Sequence, residues 1–183
     1  MFKKVFASTA VLTAFIVNTA GAQEYSIQSK TWEVGLGVGG FIEGSKGDDK
    51  QSTAAGALRA SYRYDPSWSV ELEYMYSNNQ SFRYTDDTMD IHRGILVFDW
   101  DMWPQKHYSP YFGIGGGYES FPTDAAKFNG AIVNISGGFR YIFAESWGLN
   151  VDAKYKYNLD HIDQNIMLTF AINYRFSTDD EAK

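Results

Sequence analysis

Hydrophobic and polar residues alternate with a period of two along eight separate stretches of this chain, the pattern of strands with one apolar face. In the first, Trp32, Val34, Leu36 and Val38 alternate with Glu33, Gly35, Gly37 and Gly39. The second sets Gly56, Leu58, Ala60, Tyr62 and Tyr64 against Ala57, Arg59, Ser61 and Arg63. The third sets Trp68, Val70, Leu72, Tyr74 and Tyr76 against Ser69, Glu71, Glu73 and Met75. From His92 to Met102, Leu96, Phe98 and Trp100 oppose Arg93, Ile95, Val97, Asp99 and Asp101. Further on, Pro110, Phe112, Ile114 and Tyr118 oppose Tyr111, Gly113, Gly115, Gly117 and Glu119. Val133, Ile135, Phe139 and Tyr141 then oppose Asn134, Ser136, Gly138 and Arg140, and Leu149, Val151, Ala153 and Tyr155 oppose Asn150, Asp152, Lys154 and Lys156. The last stretch runs Ile166, Leu168, Phe170, Ile172, Tyr174 and Phe176 against Met167, Thr169, Ala171, Asn173 and Arg175. Each has about the length of a tilted membrane-crossing strand, roughly 9–11 residues.

The connections alternate in length. Asp65-Pro66-Ser67, Trp103 to His107 and Ala144-Glu145-Ser146 are short, whereas Glu43 to Thr53, Ser77 to Asp90, Ser120 to Gly130 and Asn158 to Gln164 are longer and polar. This arrangement predicts an all-β fold: an eight-stranded antiparallel transmembrane β-barrel with short periplasmic turns and longer extracellular loops. An even number of strands places both ends of the barrel on the periplasmic side.

Alternation alone does not say which face meets lipid, because a secreted soluble barrel alternates too, with its apolar face inward. Three features point to the membrane form. Trp32, Trp68, Trp100, Trp103 and Trp147 all fall near the short-turn ends of the strands. With Phe176, and alongside Tyr64, Tyr108, Tyr141, Phe143 and Tyr174, they make the expected periplasmic aromatic girdle, since amphipathic rings favour the headgroup level. The face opposite the apolar one balances Glu33, Glu71, Glu73, Asp99, Asp101, Glu119 and Asp152 against Arg59, Arg63, Arg93, Arg140, Lys154, Lys156 and Arg175. Burying unpaired charge is costly and burying paired charge is tolerable. An interior network is therefore expected around Glu33, Arg59, Glu71, Glu73, Arg93, Asp99, Arg140, Asp152 and Lys154. The turn at 65–67 sets Arg59 opposite Glu73, and inward glycines are expected to give these long side chains room. The third feature is the final strand, which closes on Tyr174-Arg175-Phe176.

The first residues are read as a cleavable signal peptide over 1–22: basic Lys3 and Lys4, an apolar run from Val5 to Val17, and Ala20-Gly21-Ala22 as the cleavage site. The apolar run is shorter than the roughly 20 residues of a membrane helix. The barrel then occupies 23–176, and Ser177 to Lys183 form a short acidic tail. The net charge is −6, and removing the leader takes away two lysines and no acid, so nucleic acid is not an expected partner. The absence of cysteine excludes disulfides, thiolate nucleophiles and zinc–thiolate sites.

From Ser109 onward the chain resembles the N-terminal barrel of the outer-membrane protein A / OprF family. The resemblance lies in Pro110-Tyr111-Phe112-Gly113-Ile114-Gly115-Gly116-Gly117-Tyr118, in Gly137-Gly138-Phe139-Arg140-Tyr141, and in the run from Trp147 to Tyr155 closing with Tyr157-Asn158-Leu159-Asp160. It implies a Gram-negative outer-membrane location reached through the periplasm. The implied partners are outer-membrane lipid and lipopolysaccharide, and the barrel-assembly machinery through the C-terminal strand, with a monomer as the expected state. Larger members carry a peptidoglycan-binding domain after the barrel. Only the short acidic tail follows here, so cell-wall tethering is not expected of this chain.

No catalytic residue, cofactor or metal site is expected. Gly35-Leu36-Gly37-Val38-Gly39-Gly40 superficially suggests a nucleotide loop, but strand alternation accounts for it and no helix follows. His92, His107 and His161 are far apart and read as turn or loop residues. A lipid A deacylase, also an eight-stranded barrel, would need a His-x-Ser pair with an acidic partner. His107-Tyr108-Ser109 supplies the pair, but at the wrong end for a lipid of the outer leaflet. Loop acids (Asp48, Asp49, Asp86, Asp87, Asp90, Asp160, Asp163) suit either solubility or divalent-cation bridging to lipopolysaccharide. Phe82, Tyr84, Phe121 and Phe128 at the loop ends suit surface adhesion or an outer girdle. The expected role is structural or surface-interacting, with a narrow pore for ions or small solutes as the alternative.

Overall fold

A computed structural model of the chain describes residues 26–43, 52–82, 85–121, 129–160 and 164–177. The leader, residues 178–183 of the tail, His161, Asp48, Asp49, Asp163, Tyr84 and Phe128 lie outside the described residues, as do the side chains of Phe82, Asp86 and Asp87. Eight strands follow one another: β1 (Thr31–Glu43), β2 (Ser52–Asp65), β3 (Trp68–Phe82), β4 (Thr85–Asp101), β5 (Tyr108–Ser120), β6 (Gly130–Ala144), β7 (Trp147–Asn158) and β8 (Gln164–Ser177). Each pairs antiparallel with the next, and β8 returns to β1 to close the barrel. Closure leaves no edge strand with unpaired backbone groups.

The turns are built locally. At β2–β3, Ser67 N donates to Asp65 Oδ1 at 2.9 Å, an Asx turn, and a register shift between Arg63 and Asp65 tightens the corner. A similar shift between Ile142 and Ala144 precedes the β6–β7 turn. The connection over 77–90 differs from its expected form as a long loop. Strands β3 and β4 continue pairing as far as Phe82↔Thr85, with register shifts between Ser77 and Gln80 and between Ser81 and Phe82. Asn78-Asn79-Gln80-Ser81 lack apolar alternation, so the backbone ladder that continues through them leaves no mark in the sequence pattern.

Two of the inward glycines, both on β5, do a different job from the one expected of them. A Cβ on Gly115 or Gly117 would overlap the backbone carbonyl of Leu96 or Gly94 on β4, not a charged side chain. These positions let two neighbouring strands coil tightly against each other, as a narrow barrel requires. Only Gly113, whose Cβ would meet Asp99 and Ser136, makes room for a polar side chain on this strand.

Ahead of β1, residues 26–30 cross the short-turn mouth. Ile27 N donates to Pro104 O at 2.9 Å in the β4–β5 turn on the opposite wall, and the Ile27 side chain is buried. The crossing turns at Lys30, the one described non-glycine residue with positive φ (53°), and Thr31 Oγ1 donates to Gln28 O at 3.0 Å.

The two faces of the β4–β5 ladder provide a test. Gly117→Val is expected to abolish folding, read as loss of β-sheet circular dichroism and of the compact band in unheated gels. Gly94→Val, whose added Cβ meets nothing within 4 Å, is expected to fold like the parent.

Candidate functional site

The strands point most of their large apolar residues outward, although Met75, Ile95, Val97, Ile132 and Met167 face inward as a buried apolar cluster. Leu36 and Val38 are 69% and 67% exposed, whereas Glu73 and Asp101 on the inner face are 0% exposed. This inverts the soluble arrangement, in which large exposed apolar patches are rare. The exposed belt ends in rings at the short-turn rim. Trp68 pairs with Trp100, Trp32 with Phe176 and Trp147 with Tyr174, each in the ladder rows nearest that rim. The Trp68 and Trp100 rings stack at 6.3 Å, and Trp103 meets Tyr108 edge-on with Lys106 Nζ lying 5.1 Å above the Trp103 ring.

The lumen is filled by charged side chains in three tiers. At the short-turn end, Asp101 accepts from Arg63 Nη1 at 2.7 Å and from Arg140 Nη1. Arg63 also donates to Pro66 O at 3.0 Å, tying this tier to the β2–β3 turn. Glu33 accepts from Arg175 at 3.1 Å, Arg140 lies 4.0 Å from Asp99, and its guanidinium covers the Tyr111 ring at 5.0 Å.

In the middle tier Arg59 faces its register partner Glu73 at 2.7 Å and reaches across the lumen to Asp152 at 2.5 Å. Lys154 Nζ also binds Glu73, at 2.5 Å, and Glu71 stands 3.8–3.9 Å from both cations. Thr169 links to the same group, its Oγ1 donating to Asp152 Oδ2 at 2.5 Å and accepting from Arg59 at 2.9 Å. Nearer the long-connection end, Glu119 accepts from Arg93 Nε and from Lys156 Nζ at 2.7 and 2.9 Å. Asn158 completes this tier at 3.4 Å.

Each predicted interior residue thus sits on the inner face, and the tiers also draw in Asp101, Glu119, Arg63, Lys156 and Arg175. Sequence reasoning gave no role to Thr169, Asn158 or Asn165. Their inward phase in the alternation was the available signal. Ile27 carried no signal, because it lies outside any alternating run.

Other sequence candidates find different surroundings. His92 is not in a loop: it lies on the outer face of β4, where Tyr74 Oη approaches its Nδ1 at 2.6 Å and the Tyr76 ring lies 5.1 Å away. Phe121 is buried, so it serves neither adhesion nor a girdle. Its backbone N donates to Asn129 Oδ1 at 2.7 Å, which ties the end of β5 inward. Asp160 Oδ2 accepts from Ala131 N at 2.9 Å, capping the start of β6, and Asp90 accepts from Tyr76 Oη at 3.1 Å.

His107 and Ser109 form no catalytic pair. Ser109 is sealed inside, accepting from Trp103 N at 3.0 Å and donating to Pro110 O at 3.1 Å. The His107 ring instead sits against Tyr108 and Tyr141.

A closed barrel with an apolar exterior and an ion-paired interior is the construction of a membrane-spanning β-barrel, because hydrocarbon can satisfy neither charge nor backbone. The chain belongs to the outer membrane protein beta-barrel domain family, whose model matches residues 7–176. No curated protein matches it by sequence. Among solved structures it is similar to Neisserial surface protein A, with 13% identity, TM-score 0.64, and 79% of this chain and 97% of that one covered. It is also similar to the N-terminal β-barrel domain of Pseudomonas aeruginosa OprF, with 14% identity, TM-score 0.57, and 84% and 100% covered. Pseudomonas aeruginosa OprG gives 15% identity, TM-score 0.60, and 83% and 98% covered.

Asp101 provides the sharpest test of the tiers, because two buried arginines depend on it. Asp101→Ala is expected to cost about 3–5 kcal/mol, the penalty for stranding a buried charge. Urea unfolding in lipid vesicles, followed by tryptophan fluorescence, measures the shift.

Proposed function

We propose that this protein is a plugged scaffold of the bacterial outer membrane, contributing to membrane integrity and presenting its longer connections at the cell surface. The observation that carries this reading is the lumen itself. Three tiers of interlocked ion pairs lie across it, and the segment around Ile27 lies across its short-turn mouth. A barrel of about eight strands is narrow enough for side chains to fill it.

In this reading residues 1–22 direct export and are removed, and the short-turn rim faces the periplasm. Trp32, Trp68, Trp100, Trp103, Trp147 and Phe176 form the girdle at that interface. The surrounding lipid and lipopolysaccharide are the principal partners, and β8 presents the chain to the assembly machinery. The protein acts as a monomer and carries out no chemistry.

Two measurements test the proposal. In planar bilayers the protein is expected to show no stable open level, and Glu73→Ala, which removes the acceptor shared by Arg59 and Lys154, is expected to raise the conductance. A stable open level of appreciable size in the parent protein would instead make it a narrow pore. Leu36→Arg places a cation halfway along β1 on the outer face and is expected to destabilise the bilayer-embedded barrel by about 2–4 kcal/mol. The same urea titration in vesicles reads it, and an unchanged midpoint would argue against lipid contact there.

A further inference from the structure

The exterior carries a cluster at the short-turn rim that neither barrel closure nor the lumen requires. It is built from Trp103, Lys106, His107 and Tyr108 around the β4–β5 turn, with Tyr141 beside them on β6. Lys106 Nζ lies 5.1 Å from the centroid of the Trp103 ring and 5.4 Å from that of Tyr108, and those two rings meet edge-on at 5.9 Å. The His107 ring stands edge-on to Tyr108 and Tyr141, at 5.1 and 5.7 Å.

The backbone holds this arrangement. Lys106 N donates to Trp103 O at 3.1 Å, and Trp103 N to Ser109 Oγ at 3.0 Å. Ile142 N donates to His107 O at 2.6 Å, which ties the turn to β6. The platform is thus set before any ligand arrives, and a preorganised site loses less entropy on binding. The two rings answer the charge of Lys106 in part, as cation–π contacts do. Its three N–H donors meet no oxygen acceptor among the described residues.

Height on the barrel narrows the choice of ligand. Trp103 belongs to the rim aromatics, and such rings mark the level of lipid headgroups. Farther along the wall, toward the hydrocarbon, the outer surface dips. Phe112, Gly137 and Ala153 share one rung of the sheet, and a Cβ on Gly137 would meet nothing nearer than Tyr111 O at 3.8 Å. Gly137 stands four residues from Tyr141 along β6, about 13 Å at roughly 3.3 Å per residue. The hollow therefore lies below the headgroups, among the acyl chains.

We propose that this cluster binds one anionic glycerophospholipid of the phosphatidylglycerol type. Lys106 donates to the phosphate, Trp103 and Tyr108 pack against the glycerol backbone, and an acyl chain lies over Gly137 and Ala153. A cation with available donors above an apolar hollow matches an amphiphile with one negative charge. A zwitterionic headgroup would bring a second cation to a place that already holds one. That the bound lipid belongs to the periplasmic leaflet rests on the orientation proposed above.

Native mass spectrometry of the full barrel, released from micelles containing phosphatidylglycerol or phosphatidylcholine of the same chains, tests the site. The parent protein is expected to retain one phosphatidylglycerol and to hold it in preference to phosphatidylcholine. Lys106→Gln is expected to weaken that retention about fivefold, the effect of one lysine near an anionic headgroup. Gly137→Leu, which fills the hollow without altering a charge, is expected to weaken it too and carries the test if the first variant does not fold. Equal retention of the two lipids by the parent, or undiminished retention in Lys106→Gln, overturns the proposal. So does an equal loss in Lys30→Gln, another exposed lysine at this mouth, which would make the effect one of rim charge in general. Micelles impose no orientation, so these outcomes bear on the site alone. Labelling of Glu145→Cys in intact cells by a membrane-impermeant maleimide reports separately on which side the rim faces: labelling would refute the periplasmic placement and leave the lipid site standing.

Discussion

The fold rests on the cost of burying charge. Among the described residues, fourteen charged side chains enter the lumen on alternate strand positions, a consequence of turning most apolar positions outward. A one-residue slip between strands would reverse the facing of every side chain on one of them. It would place arginines and carboxylates in the hydrocarbon and leave their former partners unpaired. Ion pairs inside this barrel therefore act on register at least as much as on stability, and they distinguish the correct closure from its near neighbours. Their net energy against water matters less, because a buried pair often does little better than break even with an apolar substitute.

What could be read from the chain follows from how local each feature is. Alternation such as Trp32-Glu33-Val34-Gly35-Leu36 reveals a strand and its faces directly, since neither depends on a distant residue. Arg59 opposite Glu73 was legible for a similar reason: the turn over Asp65-Pro66-Ser67 fixes the register on either side of it. The contacts of Arg59 with Asp152, and of Lys154 with Glu73, were not. They cross from one wall to another, and which residues meet there depends on strand stagger and tilt, which no local pattern encodes.

Two other features were hidden for different reasons. The extension of the β3–β4 hairpin is held by backbone pairing in a segment without one-sided burial, so no periodicity marks it. The glycines of β5 were visible, but their purpose was not. Their effect is on the distance between two backbones, which is a property of the pair of strands and not of either one.

The crossing at Ile27 has a consequence of another kind. Pro104 belongs to the central hairpin of the barrel, while β1 must also join β8, the last strand to be made. The leading end of the chain is thus tied both to its middle and to its end. Entropy favours the contact with the middle, because the loop it closes is shorter. A nascent sheet can in this way hold its first strand near the far wall before the final seam exists. The residue that seals the finished vessel would then also have set the curve along which its staves were drawn together.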